Sequence, residues 1–321
     1  MAAIHHWPLH QLATSRLVCR LRRSLYGLKQ SPRAWFGRFS SALIQFGMTR
    51  CEADHSVFFL HSSTGQHIFL VVYVDDIVIT REDPDDMRPL RYFLGIEAAQ
   101  SSPGIAINQL KYALDILSET SMLDCRPIDT HMDPNVKLLP GQWEPLKDPG
   151  RYRRLVGKLN YLTATRPDIT FVVSIVSQFL NRHWNAVVRI LRYLKNAPGR
   201  GLLHEDKGDA KITCYSDADW AGSPSDRRST SGYCVLIGGN MISWRNKKQN
   251  TVALSSVEAG YRAMGAASKE LAWLRKLLLE LKLGDLQATK LICDNQDALH
   301  IASNPVFHER TKHIEIDCHY V

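Results

Sequence analysis

The chain has 321 residues and 36.4 kDa, enough for two domains of about 150 residues each. Hydrophobic residues at 45% and charged residues at 22% exclude a disordered, collagen-like or coiled-coil chain. The net charge of +8 is uneven: residues 1–212 hold 27 basic and 20 acidic side chains, and 213–321 hold 13 and 12. Within 16–38 there are seven basic residues and no acid, and within 151–211 twelve against four. Clustered positive charge suits a polyanion, nucleic acid being the commonest, while a solvated basic face is an equal alternative. The apolar runs 68–74 and 169–173 fall far short of the ~20 residues that cross a bilayer, so no membrane association is expected. The first ten residues lack the pattern of a secretory signal. Seven scattered cysteines fit a reducing setting, so an intracellular protein is expected, cytoplasm and nucleus being undistinguished.

In chain order, Ser31-Pro32 reads as a helix start, with serine as N-cap and proline in the first turn. The stripe Trp35, Phe36, Phe39, Leu43, Phe46 follows at helical spacing and reads as core. Residues 57–60 and 68–74 form a hairpin. A strand at 77–80 follows, which puts Asp75-Asp76 at a tight turn between two buried strands. Residues 92–97 read as a further strand. Five prolines between Pro127 and Pro149 mark an extended connector. Three helices follow: one with the apolar face Tyr152, Leu155, Val156, Leu159, Leu162, one opened by Pro167, and one over 184–195.

The last third changes period. Residues 212–215, 233–237 and 241–244 read as antiparallel strands, with Gly238-Gly239-Asn240 as the second turn. A long helix starts at Ser255, a strand spans 290–293, and a helix begins near Asn295, giving β-β-β-α-β-α. Three acids stand at element ends: Asp217, Glu258 and Asp294. Each has a plain explanation: Asp217 as a strand-end residue, Glu258 in a capping box with Ser255, and Asp294, before Asn295, as a cap of the next helix. If the first and fourth strands are neighbours, the three converge. Carboxylates about 4 Å apart repel by roughly 4 kcal/mol at an effective dielectric of 20, so divalent cations would be needed. Oxygen ligands select Mg²⁺ or Mn²⁺, and two such ions form the clamp for hydrolysis of a phosphodiester.

Several strings carry a family resemblance. Tyr215-Ser-Asp-Ala-Asp-Trp-Ala-Gly222, Ser229-Thr-Ser-Gly-Tyr233, Ser255-Ser-Val-Glu258, Cys293-Asp-Asn-Gln296 and Glu309-Arg-Thr-Lys-His-Ile-Glu315 resemble the ribonuclease H domain of copia-type retrotransposon polyproteins. Leu25-Tyr-Gly-Leu-Lys-Gln-Ser-Pro-Arg-Ala-Trp35, Tyr73-Val-Asp-Asp76 and Arg91-Tyr-Phe-Leu-Gly-Ile-Glu97 are similar to the reverse transcriptase of the same polyproteins. Tyr152-Arg-Arg-Leu-Val-Gly-Lys-Leu159 and Arg166-Pro-Asp-Ile169 resemble the segment that joins the two.

The resemblance implies an α+β / α/β chain in three parts: an incomplete reverse-transcriptase palm over 1–100, a helical connector over 101–204, and a ribonuclease H-like domain over 205–321. It implies Mg²⁺ held by Asp217, Glu258, Asp294 and Glu315, with Asp317 as a rival to Glu315, and a polymerase pair at Asp75 and Asp76. The family reads Glu-Ala-Glu where this chain has Glu258-Ala259-Gly260. Glu258 is taken as the ligand; were it the second acid, Gly260 would abolish metal binding. The second polymerase aspartate is missing after the His6–Leu12 stretch, contractions fall between Asp86 and Arg91 and around Asn181–Trp184, and the chain stops soon after Glu315. Primer extension is therefore not expected, and the remaining hairpin is expected to expose apolar surface. Lys29, Gln30 and Arg33 would lie near the nucleotide or template. Arg151, Arg153, Arg154 and Lys158 would follow an RNA–DNA hybrid, recognised by backbone and 2′-OH contacts. The competing readings are a nucleic-acid-binding protein with vestigial carboxylates, and a chain without a function of its own.

Overall fold

Pro32 in the first turn of α1 (Ser31–Gln45) fixes where that helix begins, although its N-cap is Gln30, which makes no side-chain capping bond. The computed structural model describes residues 28–61, 67–74, 76–81, 89–133, 148–179, 183–283 and 289–303. Two units are distinguished, Met1–Thr49 and Arg50–Val321. In the first unit the expected core stripe is not a core. Ser40 alone is buried on α1, while Trp35 and Phe46 are 45% and 81% exposed. Along the helix Trp35 stacks on Phe39, with ring centroids 5.1 Å apart and planes 9° from parallel, the i,i+4 pairing that helical spacing permits.

A two-residue strand, β1 (Thr49–Arg50), marks the boundary. The second unit opens with the antiparallel meander β2 (Val57–His61), β3 (His67–Tyr73) and β4 (Asp76–Arg81). Tyr73 pairs with Asp76, so Asp76 belongs to β4, while Asp75, the other member of the expected turn pair, lies outside the described residues. Between β3 and β4, Val74 takes φ 54°, a left-handed conformation costly for a β-branched residue. The strands on either side are not both buried. Phe58, Leu70 and Val72 of β2 and β3 are covered, but Ile77 and Ile79 of β4 are 44% and 47% exposed. β4 is the edge strand of this sheet, which is why its apolar residues stay open.

Residues 92–97 are not one strand. Leu94 and Gly95 take φ of 50° and 73°, the pair of positive angles that makes a tight hairpin turn. They separate β5 (Tyr92–Phe93) from β6 (Ile96–Ser101). β7 (Gly104–Asn108) follows, and β8 (Leu202–Glu205) returns from far along the chain to pair antiparallel with it, Ile107 opposite Leu202. The expected borders at 100/101 and 204/205 therefore run through one sheet, β5-β6-β7-β8. Between β7 and β8 lie α2 (Leu110–Glu119), α3 (Pro149–Leu162), α4 (Thr170–Gln178) after a 3-10 turn at Pro167–Ile169, and α5 (Trp184–Asn196). The anticipated α3 face is the core of this bundle: Tyr152, Leu155, Val156, Leu159 and Leu162 are all buried. The Tyr152 hydroxyl donates to the Val176 carbonyl at 2.9 Å, and burial pushes its phenol up to about 12.

The last third contains β9 (Ile212–Ala218), β10 (Thr230–Ile237), β11 (Asn240–Lys248), α6 (Ser256–Glu280), β12 (Lys290–Cys293) and α7 (Gln296–Ser303). That is the expected element order. The sheet runs β11-β10-β9-β12, with β12 parallel to β9 and the other pairs antiparallel. The β10–β11 turn is Gly238-Gly239 alone, at φ 55° and 78°; Asn240 already pairs with Ile237. Ile212, Cys214, Tyr233 and Val235 pack against Ala267, Leu271 and Leu274 of α6.

The far end of α6 holds the β2–β4 sheet. Leu277 and Leu281 pack with Cys51, Val57, Phe69 and Val71, and the Glu280 carboxylate gathers three donors there. Its Oε2 accepts from the Cys51 thiol at 2.9 Å and from the backbone N–H groups of Glu52 and Ala53 at 2.6 and 3.3 Å. The thiol hydrogen bond, then these amides and Lys276, hold the Glu280 carboxyl below its ordinary range, against the opposing effect of burial. A depressed folded-state value means that this stability is present above the unfolded value of about 4.3 and fades as pH falls through the lower one. Glu280→Gln is thus expected to lower the melting temperature at pH 7 and to converge with wild type in acid. A pH series of thermal melts checks this; a difference that grew in acid would contradict it.

Candidate functional site

Asp217 and Asp294 come together because β9 and β12 run parallel. Cys293 stands opposite Ser216 in the ladder, so the two aspartates follow side by side on neighbouring strands, which lie about 4.8 Å apart. Their shared neighbour registers both. Burial pushes the Cys293 thiol up, the Asn295 amide pulls it back, and the charges of Asp294 and Asp217 push it up again. Both aspartates are exposed, and neither has a hydrogen-bond or ion-pair partner among the described residues. The helix-cap explanation for Asp294 does not hold: Asn295 takes that role, its Oδ1 accepting from the Ala298 N–H at 3.0 Å.

Glu258 does not join them. It is 3% exposed, and both of its oxygens are engaged. Oε1 pairs with Arg262 Nη2 at 2.6 Å, one helical turn on, and Oε2 accepts from the Leu254 N–H at 2.7 Å. Its own N–H donates to Ser255 Oγ at 3.1 Å. The side chain therefore turns back over the start of its own helix, a variant of the capping box. The α6 position that faces the Asp294–Asn295 corner is Gly260: a Cβ built there would lie 3.3–3.5 Å from Asn295 side-chain atoms. A longer side chain at 260 would border the aspartates; glycine supplies none.

Among the described residues no group of three or more His, Cys, Asp or Glu side chains could hold a metal ion. Asp217 and Asp294 are two of the four acids expected to hold the ions, and the third, Glu258, is committed elsewhere. The described residues thus do not fit the Mg²⁺ pair. Glu315, its rival Asp317, and Asp75 lie outside the described residues, as do the His6–Leu12 stretch and half of each expected contraction. Asp76 opens β4 and is exposed.

The expected nucleic-acid contacts divide in the same way. Lys29, Gln30 and Arg33 are exposed at the start of α1. On α3, Arg151, Arg153 and Arg154 are exposed, with Arg151 lying over the Trp184 ring at 5.5 Å and Arg154 3.9 Å from Asp148. Lys158 is taken up by Glu119, which removes it from the face that would follow a duplex. Arg262 was not anticipated, although a cation four residues beyond Glu258 is the i,i+4 signal for such a pair.

A family model for reverse transcriptase (RNA-dependent DNA polymerase) matches residues 10–88. The chain is 41% identical over 324 aligned residues to the retrovirus-related Pol polyprotein from transposon RE1 of Arabidopsis thaliana, covering 95% of this chain and 22% of that protein. It is 36% identical to the uncharacterized mitochondrial protein AtMg00810 of the same plant, over 64% of this chain and 94% of that protein. It is 30% identical to the putative transposon Ty5-1 protein of Saccharomyces cerevisiae, over 76% of this chain and 86% of that protein. The chain thus spans about a fifth of the transposon RE1 polyprotein that it matches. No solved structure matches it.

Proposed function

This chain belongs to the copia-type Pol polyproteins of retrotransposons, and from that membership we propose that it binds nucleic acid, RNA–DNA hybrid above all, without hydrolysing it. In this reading residues 205–321 are a ribonuclease H-like domain, a view supported by the β11-β10-β9-β12 order with one parallel neighbour. The observation that carries the loss of hydrolysis is the commitment of Glu258 to Arg262 and to the Leu254 N–H. A carboxylate tied on both oxygens, beside a glycine at the position facing Asn295, leaves Asp217 and Asp294 as an isolated pair. Such a pair repels phosphates unless cations are recruited, so contact with the polyanion falls to the basic surfaces. Exposed arginines on α3 offer phosphate contacts that are independent of sequence. The absence of an aspartate after the His6–Leu12 stretch supports a polymerase half that does not extend a primer.

Fluorescence anisotropy with a labelled RNA–DNA hybrid and the full chain tests binding. The expected result is saturable binding whose logarithmic salt slope corresponds to several phosphates, with the RNA strand intact and an annealed primer unextended in the presence of Mg²⁺. Salt-independent binding, Mg²⁺-dependent shortening of the RNA, or template-directed extension would each overturn a part of the reading.

A further inference from the structure

A groove of about 460 Å³ lies between helices α3 and α4 and the edge strand β11, away from the Asp217–Asp294 edge. Strand β11 lines it with Trp244, Arg245, Asn246, Lys247 and Lys248, and α4 contributes Thr170. None of the described residues that line it is acidic. We infer that this groove is a binding site for a single strand of nucleic acid, held through its phosphates; the inference rests on the nucleic-acid reading above and deepens it.

Four observations converge on that ligand. Arg245 and Lys247 stand two residues apart on one strand, about 6.6 Å, the scale on which successive phosphates follow one another along an extended chain. Lys247 is exposed and has no ion-pair partner among the described residues, whereas Lys248 is already neutralised by Asp226 at 2.9 Å. Trp244 also lines the groove, from the other face of the strand than Arg245 and Lys247, and offers an aromatic surface of the kind on which proteins stack unpaired bases. Finally, two buried polar atoms among the groove residues lack any hydrogen-bond partner, the Thr170 hydroxyl and the Asn246 amide oxygen. Such orphaned groups are costly unless water or a ligand satisfies them. The hydroxyl can donate to a phosphate or sugar oxygen, and the amide oxygen can accept from a base or a 2′-OH.

Titration of a fluorescein-labelled oligothymidylate into the full chain tests the assignment, with the labelled hybrid in parallel. Lys247→Ala is expected to weaken oligothymidylate binding about tenfold, the factor of one charge-assisted hydrogen bond, and to flatten the salt slope by about 0.7. Thr170→Val, which removes a hydroxyl unpartnered in the free protein, is expected to leave the melting temperature unchanged or raised and to weaken binding about fivefold. Lys290→Ala, on the opposite edge strand, is expected to bind as wild type does. Wild-type affinity in both Lys247→Ala and Thr170→Val, with hybrid still bound, overturns the groove and leaves the general reading standing. Competition by oligoglutamate as effective as by unlabelled oligothymidylate overturns it in favour of an unspecific anion surface. Failure of the wild-type chain to bind either nucleic acid overturns both.

Discussion

Asp168→Ala is expected to lower the stability of the chain by about 3 kcal/mol, and with it the melting temperature by about 5 °C. Arg166 is 1% exposed, and its guanidinium meets Asp168 in a fork, Nε to Oδ1 at 2.9 Å and Nη2 to Oδ2 at 2.7 Å. Its third arm donates to the Ala197 carbonyl at 3.0 Å, tying the turn before α4 to the end of α5. Tyr193 donates to Asp168 Oδ2 at 2.8 Å, and Arg200 donates to the Tyr193 hydroxyl at 2.8 Å. Removing the carboxylate leaves a buried cation without its counter-ion, which costs far more than the intact pair contributes. Burial by itself would raise the Asp168 carboxyl, but the Arg166 and Tyr193 hydrogen bonds and the charges of Arg166 and Arg200 outweigh it and hold it below its ordinary value. The stabilisation is therefore complete above the unfolded value of about 3.9 and is lost as pH drops through the lower folded one. Thermal melts of wild type and Asp168→Ala at neutral pH and in acid measure both effects. A shift under about 1 °C at neutral pH, where about 5 °C is expected, would show that Arg166 finds other partners.

The second large effect is expected at Glu258. Alanine there leaves Arg262 with Thr251 as its remaining hydrogen-bond partner, leaves the Leu254 N–H unpartnered just before α6, and opens space in a buried position. A loss of about 2 kcal/mol follows from the unpaired donors. Glu258→Gln separates a structural glutamate from a metal ligand, because the amide oxygen can still accept from Leu254 while the ion pair is gone. The structural role predicts an intermediate melting temperature and no change in any hydrolysis of hybrid. A ligand role predicts a near-native melting temperature and loss of hydrolysis.

These residues also show what the sequence could and could not carry. Ser255 as a helix cap, Pro167 opening the segment of α4, the buried face of α3 and the order β-β-β-α-β-α follow from local rules, and local rules were sufficient for them. The Trp35 stripe has helical periodicity, yet periodicity says only that a face is apolar and not that another element covers it. Residues 92–97 looked like one strand because every side chain suits a strand; the turn at Leu94-Gly95 turns on backbone angles that a short apolar run conceals. The neighbourhood of Asp217 and Asp294 depends on parallel pairing of two strands separated by α6, a long-range contact without a local signature. For Glu258 the capping box with Ser255 is legible in the sequence, and Arg262 four residues on is the local signal for its ion pair. The groove beside β11 was invisible for the same reason as the aspartate edge: its two walls come from distant segments.

The most direct test follows an end-labelled RNA strand in an RNA–DNA hybrid incubated with the full chain and Mg²⁺, under conditions where a mobility shift reports the hybrid as bound. The account predicts that the RNA remains full length while the complex forms. Mg²⁺-dependent cleavage products that disappear in Asp217→Asn would contradict it.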